Sequence, residues 1–353
     1  MAESVKKISE FSLIRKFVKL SPIKNNSVVI VPSGDDAFVG KIGKDKVVIT
    51  TDTMVENVDF HIEWYKRKIF PQVINFRQLG IKLARINLSD LFSMGHVKPL
   101  WAVGTFCLNE KMDEKEVNEI FLGVRNELKR YGCQIVGGDI SKSKEVVLSL
   151  TLIGKFNTGE VKLRNSFEVG DYICVTGKLG DSLGGLKILL EEKKFSSSKN
   201  SCEMYLIKKH LYPEINFKVI RPILKYLSSL TDLSDGLYKS LELMCEYNKK
   251  IFVEIDAEKI PISKQLKSFC LRYGYDYKKV AIEGGEDYQF LFTVNEKFLN
   301  NVITKNNISV IGRVGGVSEL GNNNRRKFGS GRIFIRNFFT SKKLFGYDHF
   351  SKR

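Results

Sequence analysis

The sequence predicts an α/β (α+β) fold divided into two domains. Apolar runs rich in β-branched residues alternate with amphipathic helical stretches along the chain. A polar, turn-rich stretch from Asn157 to Gly170 separates two such series and places the division at 1–158 and 159–353. The 353 residues, 43% hydrophobic and 27% charged, are enough for two domains of ordinary size with a sizeable core.

In the first series, Lys46 to Thr51, Trp101 to Leu108 and Val146 to Gly154 read as buried strands. A helix is expected over Val73 to Leu91. A second covers Glu114 to Tyr131, where Val117, Ile120, Phe121, Val124 and Leu128 fall on one face and Gly132 provides the stop. In the second series, Tyr172 to Thr176 is a strand, Ser182 to Lys193 a helix and Phe195 to Ser201 a polar loop. Leu237 to Asn248 is helical. Ile251 to Ile255, Tyr288 to Val294 and Ile308 to Val314 are strands.

No run reaches the 18 or so apolar residues of a membrane span. Lys6, Lys7, Glu10, Arg15, Lys16 and Lys19 break up the start of the chain, which does not read as a secretory signal, so a cytoplasmic location is expected. Cys107, Cys133, Cys174, Cys202, Cys245 and Cys270 lie far apart without a C-x-x-C, which argues against a zinc site or a disulfide framework. The net charge of +17 raises nucleic acid as a partner. No nucleic-acid motif accompanies it, and solvated lysines and asparagines account for it.

The chemistry lies in aspartates at turns or element ends. Gly34-Asp35-Asp36 follows the apolar run Val28 to Val31, Thr50-Thr51-Asp52 ends the Lys46 strand, and Asn87-Leu88-Ser89-Asp90 lies near the end of a helix. Gly137-Gly138-Asp139, Asp232-Leu233-Ser234-Asp235-Gly236 and Gly284-Gly285-Glu286-Asp287 complete the set. Taken singly, each reads as a turn or an N-cap. Taken together, they would repel one another severely if the fold gathered them, and a hard divalent cation resolves that conflict. Mg²⁺ takes oxygen ligands, keeps several waters and shares the rest of its shell with phosphate. Thr50, Thr51 and Ser234 add neutral oxygens. The P-loop, dinucleotide and protein-kinase signatures are absent. Gly180-Asp181-Ser182 reads as a turn with an N-cap.

In this order the motifs resemble those of the thiamine-monophosphate kinases. They are Gly34–Asp36, Thr50–Thr53, Asn87–Gly95, Gly137–Asp139, Arg164–Asp171, Val175–Ser182, Asp232–Leu237, Gly284–Tyr288 and Gly346–Phe350. The acidic core alone is shared with the wider superfamily of aminoimidazole ribonucleotide synthetases. The resemblance implies the two-domain fold of that superfamily, and a homodimer whose N-terminal sheets pair into a barrel. The N-terminal domain would bind ATP and magnesium, and the C-terminal α/β domain would complete the substrate site. The implied reaction moves the ATP γ-phosphoryl group onto thiamine monophosphate, giving thiamine diphosphate and ADP, with no general base. The implied magnesium ligands are Asp36, Thr50, Thr51, Asp52, Asp90, Asp139, Asp232 and Asp235. Gly138, Asp139, Arg164 and Ser234 would contact ATP, and Glu286 and Tyr347 the thiamine substrate. The chain departs from the family where a histidine usually precedes Phe60. Asp59 stands there, with His61 on the other side, so the implied substrate contact falls to Asp59 or His61. The segment Gly321 to Arg332 is also longer and more basic than the family pattern. Rival readings are another enzyme of the superfamily, or a non-catalytic protein that binds nucleotide or nucleic acid.

Overall fold

A computed structural model of the chain describes residues 10–20, 28–32, 34–66, 74–191, 201–246, 250–304, 307–316, 332–338, 344 and 347. Its first part contains α1 (Glu10–Leu20), β1 (Val29–Val31), β2 (Phe38–Ile42), β3 (Asp45–Val55), α2 (Ile62–Lys66), α3 (Phe76–Ser93), β4 (Val97–Leu108), α4 (Glu114–Arg130), β5 (Gln134–Lys142) and β6 (Val147–Phe156). These strands form one sheet in the order β1-β2-β3-β6-β4-β5. Its pairs are antiparallel except β4 with β5, which α4 connects.

The second part contains β7 (Tyr172–Thr176), α5 (Asp181–Leu190), α6 (Ser201–Leu211), α7 (Phe217–Ile220), β8 (Leu227–Asp232), α8 (Leu237–Glu246), β9 (Ile251–Asp256), α9 (Lys264–Tyr273), α10 (Tyr277–Glu283), β10 (Phe290–Val294), α11 (Leu299–Ile303), β11 (Ile308–Gly316) and β12 (Ile333–Arg336). Its sheet runs β12-β9-β11-β7-β10-β8, antiparallel but for β12 with β9. Every residue of β10 is buried, because helices and the first sheet's core cover both faces.

The two parts meet on α3. Asn75 caps it, accepting from the Arg77 amide at 2.9 Å, while Gln78 reaches back to the Asn75 amide at 3.1 Å. Leu79, Leu83, Leu88 and Leu91 are fully buried, as a helix enclosed by protein requires. It crosses α4 at glycines: a Cβ on Gly80 would lie 2.0 Å from the Ile120 carbonyl oxygen, and one on Gly123 2.1 Å from that of Arg77. Toward the second part, Phe92 stacks on Phe217 at 3.8 Å between centroids. Arg85 is buried with its Nε 2.9 Å from Glu127 and its other nitrogens donating to Pro213 O and Tyr212 Oη. One face of the first sheet is thereby covered by α3, while Thr51, Thr53, Trp101 and Val103 on the other face stay exposed.

Several element bounds differ from the sequence reading, each for a local reason. The α3 helix begins at Phe76 because Asn75 caps it, and Val73 lies outside the described residues. The Lys46 strand does not end at Asp52 but continues to Val55, paired with β6 throughout. Gly137-Gly138-Asp139 is no turn: it lies inside β5, where a Cβ on Gly138 would meet the Gly104 carbonyl oxygen at 2.2 Å. Tyr288 precedes β10 because its φ of +48° is left-handed. The expected ends Lys193, Asn248 and Phe350, and most of the 195–201 loop and of the basic 321–332 segment, lie outside the described residues.

Candidate active site

Three elements bring carboxylates together above α3. The β1–β2 turn supplies Asp35 and Asp36, β3 supplies Asp52, and α3 supplies Asp90. Alternation on β3 points Thr50, Asp52 and Met54 toward the helix. There the Thr50 hydroxyl donates to Asp90 Oδ2 at 2.8 Å, and the Asp52 amide donates to Asn87 Oδ1 at 3.0 Å. Asp232 ends β8 behind them. It accepts from Ser89 Oγ at 2.7 Å and from Ser234 Oγ at 3.3 Å.

These charges are costly together. Burial raises the Asp52 carboxyl to about 6, with further pushes from Asp59 and Asp36 partly offset by its hydrogen bond with Asp90. Asp35 also rises to about 6, through burial first and Asp36 second. Asp90 and Asp232 are driven well above the carboxylate range by burial and by their acidic neighbours. Arg164 supplies counter-charge. Its guanidinium bonds Asp36 Oδ1 and lies 3.4 Å from Asp35 Oδ1, while its amide donates to Asp35 Oδ2 at 3.2 Å. Thr231 Oγ1 also donates to Asp36 Oδ1, at 3.0 Å, yet Asp36 Oδ2 is buried without a hydrogen-bond partner.

The second half adds two interlocked loops. The Glu286 amide donates to Ser234 O at 2.6 Å and the Tyr288 amide to Leu233 O at 3.1 Å. Gly236, at φ +97°, has no room for a side chain, since a Cβ would sit 2.8 Å from Glu283 O. Glu286 itself is left-handed at φ +60°, and its carboxylate lies 2.9 Å from Lys82 Nζ and 3.4 Å from His210 Nδ1. The Tyr347 amide donates to Asp235 O at 3.1 Å, which brings that residue to the same place.

The result is a cleft of about 540 Å³. Of the residues singled out in the sequence, Asp36, Asp52, Asp90, Asp235, Arg164 and Ser234 line it, as do Asp59, Glu286 and Tyr347. Thr50 and Asp232 are buried directly behind, bonded to its walls. Three positions fall elsewhere. The Thr51 hydroxyl faces the opposite side of the sheet, where it donates to Leu150 O at 3.3 Å and accepts from Thr151 at 3.0 Å. Gly138 and Asp139 are exposed on β5. Thr53, Ser149, Thr105 and Asp139 are successive partners across β3, β6, β4 and β5, so three strand spacings, about 14 Å, separate Asp139 from β3.

At the departure from the family pattern, Asp59 Oδ2 accepts from the Val55 amide at 2.7 Å and closes a turn. His61 pairs with Asn57 Oδ1 at 3.0 Å and sets its ring 4.6 Å from that of Trp64. Both line the cleft. Lys82, His210 and Trp64 were not singled out from the sequence. The available signal was a lysine two turns before Asp90 in an otherwise apolar helix stripe.

Among the described residues no three acidic, histidine or cysteine side chains stand close enough to hold one ion by themselves. The donor set fits magnesium in its usual manner, one or two carboxylates per ion with water and phosphate oxygens completing the shell, and the orphaned Asp36 Oδ2 is such a donor. No helix among the described residues is long and apolar enough to cross a membrane.

Fold and acidic cleft together define a protein of the AIR synthase class. Residues 34–156 match the family described as AIR synthase related protein, N-terminal domain. A hydrogenase maturation protein HypE in complex with ATP shares the fold, with a TM-score of 0.61 at 17% identity over 82% of this chain and 81% of that one. Within the class the chain belongs to the thiamine-monophosphate kinase family. It is 33% identical over 310 residues to the thiamine-monophosphate kinase of Aquifex aeolicus, covering 88% of this chain and 92% of the relative. The Bacillus subtilis enzyme is 30% identical, over 82% and 85%. A solved structure of AaThiL complexed with AMPPCP and TMP superposes with a TM-score of 0.81 at 30% identity, over 99% of both chains.

Proposed function

We propose that this chain is a thiamine-monophosphate kinase, transferring the ATP γ-phosphoryl group to thiamine monophosphate with release of thiamine diphosphate and ADP. The observation that carries this reading is the cleft itself. It gathers aspartates whose mutual repulsion calls for cations, and its lining also holds a fixed carboxylate, Glu286, and the Trp64 ring. An acceptor with a phosphate at one end and a cationic heteroaromatic group at the other matches both features.

Asp36, Asp52, Asp90, Asp232 and Asp235, with the Thr50 hydroxyl, are the groups that would hold magnesium. When bound, magnesium supplies the positive charge that lets two polyanions approach and stay in line. The acceptor oxygen needs no general base, since a phosphate monoester with a second pKa of about 6 is already ionised at neutral pH. Arg164 adds a charge-assisted contact to phosphate from its place beside Asp36. Burial of the aspartates keeps these interactions strong by excluding water.

Asp139 and Gly138 fit this reading if they come from a second copy. Asp139 shares the uncovered sheet face with Thr51 and Thr53, with Gly138 next to it in the strand, and both stand about 14 Å from β3 of their own chain. A homodimer joined through that face would carry the Asp139 of one chain toward the Thr51 of the other. The division at 1–158 and 159–353 and a cytoplasmic location complete the proposal. Incubating the protein with ATP, magnesium and thiamine monophosphate, and following thiamine diphosphate by chromatography, tests it. Stoichiometric thiamine diphosphate and ADP are expected; ATP consumption without thiamine diphosphate refutes the assignment.

A further inference from the structure

Lys82 is a charged side chain only 1% exposed, in the middle of a helix enclosed by protein. Such a group is retained only when a partner answers its charge. Its partner is Glu286, whose Oε1 lies 2.9 Å from Lys82 Nζ and whose side chain is 29% exposed to the cleft. The pair is therefore lopsided, with the cation sealed in the core and the anion presented to the cavity.

Every other constraint on Glu286 points the same way. Its backbone is held left-handed at φ +60°, an unfavourable state for a residue with a side chain, and its amide is pinned to Ser234 O. Its Oε2 lies 3.4 Å from His210 Nδ1, which is also 3.0 Å from Ser182 Oγ. His210 is 1% exposed, and burial together with Lys82 lowers it to about 3. It is neutral, so Lys82 and not His210 balances the carboxylate.

Lys82 also shares a helix with the phosphate end of the cleft. Eight residues on, Asp90 lies about 12 Å further along α3. Between them Ile86, one turn from each, lines the cleft, as does Trp64. The same helix carries Asn87 and Ser89, which hold Asp52 and Asp232. One rigid element thus fixes both ends of the cavity.

We infer that Lys82 is a positioning residue for the acceptor: it aims the Glu286 carboxylate into the cleft, and α3 sets the distance between that carboxylate and the phosphate platform. This rests on the proposed function, and it adds that the Lys82–Glu286 pair and the Asp90 end of the platform are held about 12 Å apart by one helix.

The test is a double-mutant cycle of Lys82→Met and Glu286→Gln, with steady-state kinetics in thiamine monophosphate and in ATP, and calorimetric binding of thiamine monophosphate. Lys82→Met is expected to raise the KM and Kd for thiamine monophosphate about 10- to 50-fold, with kcat reduced less than threefold and the KM for ATP moved less than twofold. In the Glu286→Gln background it should add less than twofold. Lys82→Arg, which keeps the charge, should recover affinity to within about fivefold of wild type, and it serves as the deciding variant if Lys82→Met does not fold. Multiplicative effects in the double variant, equal losses for ATP and acceptor, or no recovery by arginine overturn the inference. If Glu286→Gln leaves the acceptor KM unchanged, the substrate role of Glu286 fails and the inference with it. If the wild-type protein does not phosphorylate thiamine monophosphate at all, the proposed function fails first.

Discussion

Two sets of aspartates look alike in the sequence and differ in the fold. Asp181 and Asp287 lie in glycine-rich motifs and are buried, as Asp232 is, while Asp36, Asp52 and Asp90 are partly buried at the cleft. Asp287 accepts from the Gly180 amide at 2.6 Å and the Ser182 amide at 3.1 Å, capping α5 across the chain. Asp181 accepts from Ser263 Oγ at 2.5 Å and Tyr205 Oη at 3.1 Å. Each carboxylate there has its own donors. In the cleft Asp35 and Asp36 share one guanidinium, that of Arg164, the neighbouring carboxylates raise one another, and Asp36 Oδ2 has no donor at all. An oxygen left without a donor among mutually repelling carboxylates, rather than the number of donors, separates the aspartates that wait for a ligand from those that build structure.

The largest effect that tests this contrast is on turnover. Asp52→Asn should lower kcat on the order of 10²-fold or more, the scale of several kcal/mol of lost charge stabilisation, while leaving the unfolding midpoint unchanged or higher. Asp287→Asn should do the reverse. It should cost about 1–3 kcal/mol of stability by urea titration, through an unsatisfied α5 terminus, with kcat of the folded protein within a few-fold of wild type. Exchange of these two outcomes would collapse the contrast.

Magnesium sharpens it further. Free ion should stabilise the wild-type protein by about 1.4 kcal/mol for each tenfold excess over its dissociation constant. Asp90→Asn should remove most of that shift in thermal unfolding and Asp287→Asn none of it.

A pH effect of about 2 kcal/mol is expected at His210. The folded protein holds this ring neutral to about 3, against an ordinary value of 6.5. The unfolded chain therefore takes up a proton that the folded one refuses. Stability from this group is complete above pH 6.5 and is lost as pH falls toward 3, by about 2 kcal/mol at pH 5. By urea titration, the stability lost between pH 7 and pH 5 should be about 2 kcal/mol larger for wild type than for His210→Gln. The smallest effect is at Asp59, where Asp59→Ala should cost about 1 kcal/mol through its turn and change acceptor KM less than threefold.

Much of the fold was legible because it is local. The α4 helix follows its apolar stripe to the Asp113–Glu116 capping box at one end and Gly132 at the other. The β-branched runs became β3, β4, β6 and β7. Where glycine chemistry misled, a long-range contact decided: Gly138 is in β5 because the strand beside it leaves no room for a side chain, and Tyr288 is left-handed because its amide is tied to Leu233. Residue types and order gave most of the site, yet no local pattern could bring Asp36 to Thr231 or Ser89 to Asp232. Lys82 was hidden for the opposite reason. Lysine in a helix reads as a solvated face, and only the packing of α3 on both sides makes it a buried charge.

The central claim is that the cleft aspartates form a cation platform on which two phosphates are joined. The most direct measurement is the rate of thiamine diphosphate formation at fixed, saturating magnesium–ATP as free magnesium is raised from near zero. The rate should start near zero and climb with free ion, and Asp52→Asn should stay low across the range. A rate already maximal once ATP is saturated with magnesium, and unchanged in Asp52→Asn, would contradict the account.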